Sequence, residues 1–256
     1  MKLHLLITIF IISLLLSACA PTSYVYLKAD AVNSNKIDKV LIMIEYLSLK
    51  QGFDEHWDFD ENIHLKNQDE LFDLAAQMLL EKGYVVSEKS LKTSGLVMNR
   101  EFYLDHYLNN KKQEQLISPP YIVRSINLQD DTIQAIEYLL AEINAPISRV
   151  MADYRSHVKN NYKAQTDNLN LSEKSAILVL QVYQPRKSLL THIELGFGHS
   201  NCGSNVGFGS YQPNPTSEAY LIHIDSGDVL WSNKTTLITD RNQQKFFAEL
   251  PNVLLH

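Results

Sequence analysis

The amino-acid sequence predicts an α/β fold in which helices pack against a central mixed β-sheet. Two continuous apolar runs, at residues 39–46 and 176–183, are typical of strands that are buried on both faces. After the first run, an amphipathic helix ends at Gly83 and a short apolar strand follows at 84–86. A right-handed crossover through this helix would make the strands at 39–46 and 84–86 parallel.

The other elements follow from hydrophobic spacing and from turn residues. The helix that ends at Gly83 is predicted to begin at Asn67 or Asp69, after a polar segment. The remaining predicted elements, in chain order, are a helix near 96–110, a strand at 121–126, a helix at 131–160 kinked at Pro146, hairpins at 191–211 and 218–237, and a helix at 243–250.

The composition excludes several classes of protein. Of the 256 residues, 45% are apolar and 20% are charged, which is typical of a globular chain rather than a disordered or polytopic membrane protein. Lys and Arg number 23 against 29 Asp and Glu, so the formal net charge is −6. Because nucleic acids bind to strongly basic surfaces, we expect no nucleic-acid partner.

Residues 1–18 have the pattern of a secretory signal peptide. Lys2 precedes an apolar core at 5–16, and small residues follow that core. The core has about 12 residues, whereas a helix that spans a membrane needs about 20, so we expect the segment to be removed.

The cleavage region, Leu16-Ser17-Ala18-Cys19, resembles the lipobox of bacterial lipoproteins. The resemblance implies that Cys19 becomes the first residue and carries lipid, with acyl chains such as palmitate holding the protein at a membrane. Ala20 stands where lipoproteins retained in the inner membrane commonly carry Asp, which implies the outer membrane, on its periplasmic face. The alternative is an ordinary signal peptide in which Cys19 is incidental.

The mature chain is predicted to contain a short anchor and one domain. The polar residues of 19–36 predict a lipidated tether, although 24–27 could add an edge strand. Residues 37–256 are predicted to form a single periplasmic α/β domain with a helical insertion at about 88–170.

The glycine-rich loop at 196–209 lacks the residues of known phosphate-binding and nucleophile motifs. His199 and Cys202 have the spacing of half a metal site, but no further ligands lie nearby in the sequence. The other interpretations are a capped thiol in a flexible loop, or a disulfide between two chains through Cys202. We therefore predict no cofactor and no metal, and list His199 and Cys202 only as possible ligands.

The acidic loop at 54–61 places five carboxylates around His56 and Trp57. Such a run most often forms a solvated surface, which could bind a divalent cation weakly. A hydrolase would need two of these carboxylates to face each other across a cleft.

Two segments carry a family resemblance. The helix end EKGYVV at 81–86 and the hairpin IDSGDVLWS at 224–232 resemble those of periplasmic lipoproteins related to the curli-secretion channel lipoprotein, the lipoprotein activators of penicillin-binding proteins and the amino-terminal domain of the Tol system's propeller protein. The resemblance implies a role in envelope assembly or secretion through protein contacts, without catalytic residues. The segment 88–170 departs from this pattern.

Together these features predict a non-enzymatic outer-membrane lipoprotein that contacts the membrane through its lipid and binds an envelope protein or a second copy of itself. The alternative is a ligand-binding or hydrolytic periplasmic lipoprotein that uses the acidic 54–61 loop or the glycine-rich 196–209 loop.

Overall fold

The computed structural model of the chain describes residues 24–27, 37, 39–51, 56–96, 98, 102–144, 166, 169, 171, 175–187, 216–235 and 242–253. Cys19, Pro146 and the glycine-rich loop with His199 and Cys202 lie outside the described residues. The interpretations given for those positions therefore stay predictions.

The described residues form ten strands and three helices. In chain order they are β1 (Tyr24–Leu27), β2 (Lys39–Gln51), β3 (Trp57–Asp60), α1 (Glu61–Glu81), β4 (Val85–Ser94), β5 (Phe102–Leu108), β6 (Lys111–Ile117), β7 (Ile122–Ile126), α2 (Asp130–Asn144), β8 (Ser175–Lys187), β9 (Thr216–His223), β10 (Val229–Thr235) and α3 (Gln243–Ala248). All ten strands belong to one sheet that contains parallel and antiparallel pairs. The predicted α/β fold with a central mixed sheet is confirmed.

Three parallel strands form the middle of the sheet. β2 lies between β4 and β8, and Val40 pairs with Val86 on one side and with Ala176 on the other. The predicted parallel arrangement around helix α1 is therefore confirmed. Beyond β8 the sheet continues antiparallel through β9, β10 and β1, while β7 is antiparallel to β4.

The far end of β2 carries a second group of strands. Its last two residues, Lys50 and Gln51, pair with β3, and β5 and β6 follow β3 outward. The strand order along this path is β1-β10-β9-β8-β2-β3-β5-β6, so β1 and β6 lie at opposite ends.

Each face of the central strands has its own core, because successive side chains of a strand point to opposite sides. Val40 and Ile42 of β2 belong to the core cluster that includes α1 and α3. Leu41 and Met43 belong to the cluster that includes α2. The fold thus has three layers, with the mixed sheet between helices.

Trp231 lies at the centre of the cluster beneath α3. Its ring is fully buried, and the ring centroids of Phe246 and Phe247 lie 6.3 and 6.2 Å away. The predicted C-terminal helix and the predicted hairpin, which joins β9 to β10, therefore meet through aromatic contacts.

The predicted start of helix α1 is wrong, because the helix begins at Glu61 rather than at Asn67 or Asp69. The Oδ1 atom of Asp60 accepts a hydrogen bond of 3.1 Å from the backbone N–H of Ile63, as an N-cap residue does. The predicted acidic loop is thus partly a strand and a helix start. The apolar stripe in the sequence begins late because the first turns of the helix are mostly polar.

The helix predicted near 96–110 is also wrong, since this part of the chain contains strand β5, which forms an antiparallel hairpin with β6. Asn109 and Asn110 make the turn with φ values of 50° and 63°, in the left-handed region that asparagine tolerates. The described part of the predicted helical insertion at 88–170 is therefore mostly strand up to residue 126. Strand β7 confirms the prediction at 121–126, and α2 agrees with the first half of the helix predicted at 131–160.

The predicted tether at 19–36 contains a strand. β1 pairs antiparallel with β10, with Leu27 opposite Trp231. The edge strand considered at 24–27 is therefore present, and the chain joins the sheet five positions after Cys19 (24 − 19).

Candidate functional site

The described residues of the predicted acidic loop separate into two structural roles. Asp60 caps α1, and Glu61 lies 3.1 Å from the Nε2 atom of His106. Asp58 is in register with Asp105 of β5, so these two side chains point to the same side of the sheet. Asp54 and Glu55 lie outside the described residues.

Asp105 is the buried member of a charged cluster on the outer face of the β5–β6 hairpin. Its side chain is only 2% exposed, and its Oδ2 atom lies 2.6 Å from the Nζ atom of Lys112. Among the described residues, its Oδ1 atom has no hydrogen-bond partner, and the Nδ1 atom of His56 lies 3.8 Å away. His56 is also 3.8 Å from Glu114, so it lies between two carboxylates.

Asp105 was not among the candidate residues, because the sequence favoured a helix at this position. The Asn109-Asn110 pair, a common turn sequence, was the available signal for a hairpin here. Within the ranges that the structure describes, no group of three or more His, Cys, Asp or Glu side chains is arranged to hold a metal ion.

An apolar pair lies next to this charged cluster. Tyr103 and Leu116 are cross-strand partners on the outer face of the hairpin, and they are 65% and 47% exposed. Among the described residues, β6 pairs with β5 alone, so its other backbone edge is unpaired there. An apolar pair beside an open strand edge is a surface on which another chain can add a strand.

A second polar feature crosses the face of the sheet that α2 covers in part. Cross-strand partners in a sheet point to the same side. One continuous row of such partners is polar, and its members are Thr93, Glu45, Gln181, Glu218 and Lys234. Lys234 forms an ion pair with Glu218, whose other carboxylate oxygen accepts the hydroxyl of Tyr220.

Glu45 is the buried carboxyl group of this row, with 5% of its surface exposed. Its Oε1 atom accepts hydrogen bonds from the backbone N–H groups of Gly95, at 2.7 Å, and Leu96, at 3.1 Å. Its Oε2 atom accepts the hydroxyl of Thr93. Burial raises the pKa of Glu45 to about 7, because desolvation of the charge outweighs these three hydrogen bonds.

Gly95 shapes the turn that supplies these N–H groups. Its φ of +75° lies in the left-handed region, and a Cβ atom there would lie 2.7 Å from the ring of Tyr121. Glycine is therefore required both by the backbone conformation and by the close approach of the aromatic ring.

A cavity of about 260 Å³ opens beside Glu45. It lies toward the carboxyl ends of the central parallel strands, which is where ligands bind in many α/β sheets. Its lining residues are Glu45, Leu47, Met98, Gln181, Val182, Tyr183, Thr216 and Glu218.

A larger cavity of about 400 Å³ lies at the other end of the central strands, next to Lys39 and Ser175. None of its lining side chains is both buried and ionisable. Of these two cavities, the one beside Glu45 is therefore the better candidate for a ligand site, because it combines apolar walls with a buried carboxyl group.

Comparisons with known proteins identify no relative of this chain. No family model, no curated protein and no solved structure matches the chain. Among the helices of the described residues, none has the length and apolar character that crossing a membrane requires.

Proposed function

We propose that the chain is a non-enzymatic lipoprotein of the cell envelope, held on the periplasmic face of the outer membrane by a lipidated Cys19. It acts by binding another protein, either an envelope protein or a second copy of itself. The observation that carries this proposal is the exposed pair Tyr103 and Leu116 beside the open edge of β6. The lipobox-like segment ending at Cys19 supports the anchor.

The hairpin has the features of a selective strand-addition surface. An unpaired edge supplies backbone N–H and C=O groups, and exposed apolar side chains supply contact area. Lys111, Lys112 and Glu114 lie on the same edge strand, and such charges oppose indiscriminate pairing of sheet edges. A partner must therefore match both the apolar pair and the charges.

The strand order puts β1, which follows the proposed anchor, and the β5–β6 hairpin at opposite ends of the strand path. β1 begins five positions after Cys19, so the lipid lies within about 17 Å of that strand. β6 is at the other end of the strand path, seven strand-to-strand steps away, which is about 34 Å measured across the strands at the usual spacing. The lipid would thus hold the β1 end near the membrane and leave the hairpin to meet a partner.

The anchor is tested by changing Cys19→Ser in the full chain. We expect the variant to lose incorporation of a labelled palmitate analogue, because it lacks the cysteine that carries the lipid. Cys202→Ser is the matched control, since the chain has only two cysteines, and it should behave as the wild type. Labelling that persists in Cys19→Ser would contradict the anchor.

The binding surface is tested by changing Tyr103→Thr and Leu116→Thr together, since threonine keeps a high strand propensity. We expect crosslinked adducts recovered from intact envelopes to fall by at least about tenfold, because exposed aromatic anchors dominate binding energy. Tyr138→Gln is the control: Tyr138 is 75% exposed on α2, away from the hairpin. An unchanged adduct yield in the double variant, with its thermal unfolding also unchanged, would contradict the proposed surface.

A further inference from the structure

We propose that the cavity beside Glu45 binds a small organic ammonium ion, with the ammonium group against Glu45 and the carbon chain against the apolar wall. The site shares no residue with the β5–β6 hairpin, and the inference does not depend on the proposed protein contacts. The ammonium group can belong to a free amine or to a lysine side chain of another protein, and the chemistry of recognition is the same.

The polar row has one more negative charge than positive charges when Glu45 is ionised. With Glu45 ionised, the row carries two carboxylates, on Glu45 and Glu218, and one cation, on Lys234. Lys234 pairs with Glu218, and no basic side chain of the described residues forms an ion pair with Glu45. A bound ammonium would supply the missing positive charge, and an anion would be repelled.

Counted over the residues that the structure describes, the hydrogen bonds of Glu45 leave one acceptor position of its carboxylate open. A carboxylate has about four lone-pair positions. The two N–H groups of Gly95 and Leu96 occupy those of Oε1, and the hydroxyl of Thr93 occupies one on Oε2. The remaining position on Oε2 accepts an N–H of the ligand, and the side chain of Gln181, the next member of the row, offers a neutral acceptor.

The size and the walls of the cavity limit the rest of the ligand. The volume of about 260 Å³ is below the range of about 300–1,000 Å³ that is usual for drug-sized ligands. Leu47, Met98 and Tyr183 line the cavity and contribute apolar surface. A short alkyl or aryl group therefore suits the apolar walls, whereas a sugar is too polar for them and a nucleotide is too large.

Binding should be coupled to ionisation of Glu45. Because burial raises the pKa of Glu45 to about 7, its carboxyl group is protonated in mildly acidic solution. A bound cation favours the carboxylate, so the carboxyl proton leaves to solvent as the ammonium binds. Glu218 and Lys234 face the same side of the sheet and stay paired with each other, so the affinity should rise with pH until about 7 and then level off.

The experiment titrates the full chain in detergent with 2-phenylethylamine and with Nα-acetyl-lysine methylamide, and follows binding and the carboxyl ¹³C signal of Glu45 by NMR. We expect saturable binding of at least one amine at pH 8, and affinity at least about tenfold lower at pH 5 and in Glu45→Gln. 2-Phenylethanol, the neutral analogue of the first probe, should bind at least about tenfold more weakly than the amine. Tighter binding of phenylethylamine favours a free amine, and tighter binding of the lysine derivative favours a lysine side chain.

A second variant keeps the test decisive if Glu45→Gln fails to fold. Gln181→Lys places an ammonium group next to Glu45 from within the chain, so it should abolish binding of both amines and lower the pKa of Glu45. Binding that is equal for the amine and the alcohol, no binding of either amine at pH 8, or binding that persists in Gln181→Lys would overturn the proposal.

Discussion

Replacing Trp231 with alanine is expected to lower the free energy of unfolding by about 3–5 kcal/mol. The indole is fully buried where β10 meets α3, and its removal leaves a cavity between Phe246 and Phe247. The effect extends beyond the hairpin, because β10 also pairs with β1. Urea unfolding of the wild type and the variant, at the same detergent concentration, measures the change.

Trp231→Phe is the matched control for this prediction. It keeps an aromatic ring in the cluster and removes the indole N–H, which is buried and has no hydrogen-bond partner in the described part of the chain. We expect it to cost less than half as much as Trp231→Ala. A loss below about 1 kcal/mol in Trp231→Ala would mean that the cluster does not hold α3 on the sheet.

Two buried groups, His64 and Glu45, are expected to change the free energy of unfolding with pH in opposite directions, by about 3 kcal/mol each. His64 accepts the backbone N–H of Ser48 on Nε2, at 3.0 Å, and its Nδ1 atom lies 2.6 Å from the carbonyl oxygen of Asp60, so the neutral ring is bonded on both sides. Burial lowers the pKa of His64 from 6.5 to about 4. Its stabilising contribution is therefore present above pH 6.5 and is lost as the pH falls toward 4.

Glu45 acts in the opposite direction. Burial raises its pKa from 4.5 to about 7. Its contribution to the stability of the folded state is therefore complete below pH 4.5 and is lost as the pH rises through 7. Between pH 7 and pH 4 the two contributions oppose each other in the wild type. We expect Glu45→Gln to lose stability on acidification and His64→Gln to gain it, when each is compared with the wild type.

Urea unfolding of the three proteins at pH 7 and pH 4 tests this pair of predictions. The other carboxyl groups affect all three proteins alike, so the difference between the two variants isolates Glu45 and His64. If both variants showed the wild-type dependence on pH, neither group would be buried in the way described.

The central strands and their direction could be predicted because their signals are local. The apolar runs in β2 and β8 are continuous, and the single helix between β2 and β4 requires a parallel crossover. The β5 sequence, FYLDHYL, gives no such signal: its apolar spacing suits a helix as well as a strand. Pairing with β3 and β6, which is not local, decides the structure.

The buried site could not be predicted for a related reason. Glu45 ends an apolar run, and in the sequence it looks like a charge that flanks a strand. Its hydrogen bonds come from residues 93–96, and its row continues to Gln181 and Glu218, which are far along the chain. Only the sheet register brings these side chains together. The acidic loop, by contrast, was visible in the sequence, but its described residues serve a helix cap and a hairpin.

The most direct test of the central claim is photo-crosslinking from the hairpin in intact cells. A photoreactive phenylalanine analogue would replace Tyr103 in one strain and Tyr138, on the surface of α2, in another. The proposed function predicts a discrete protein adduct from position 103, at twice the mass of the chain if the partner is a second copy, and no such adduct from position 138. No adduct from position 103, or the same adducts from both positions, would contradict a role in protein contacts through this hairpin.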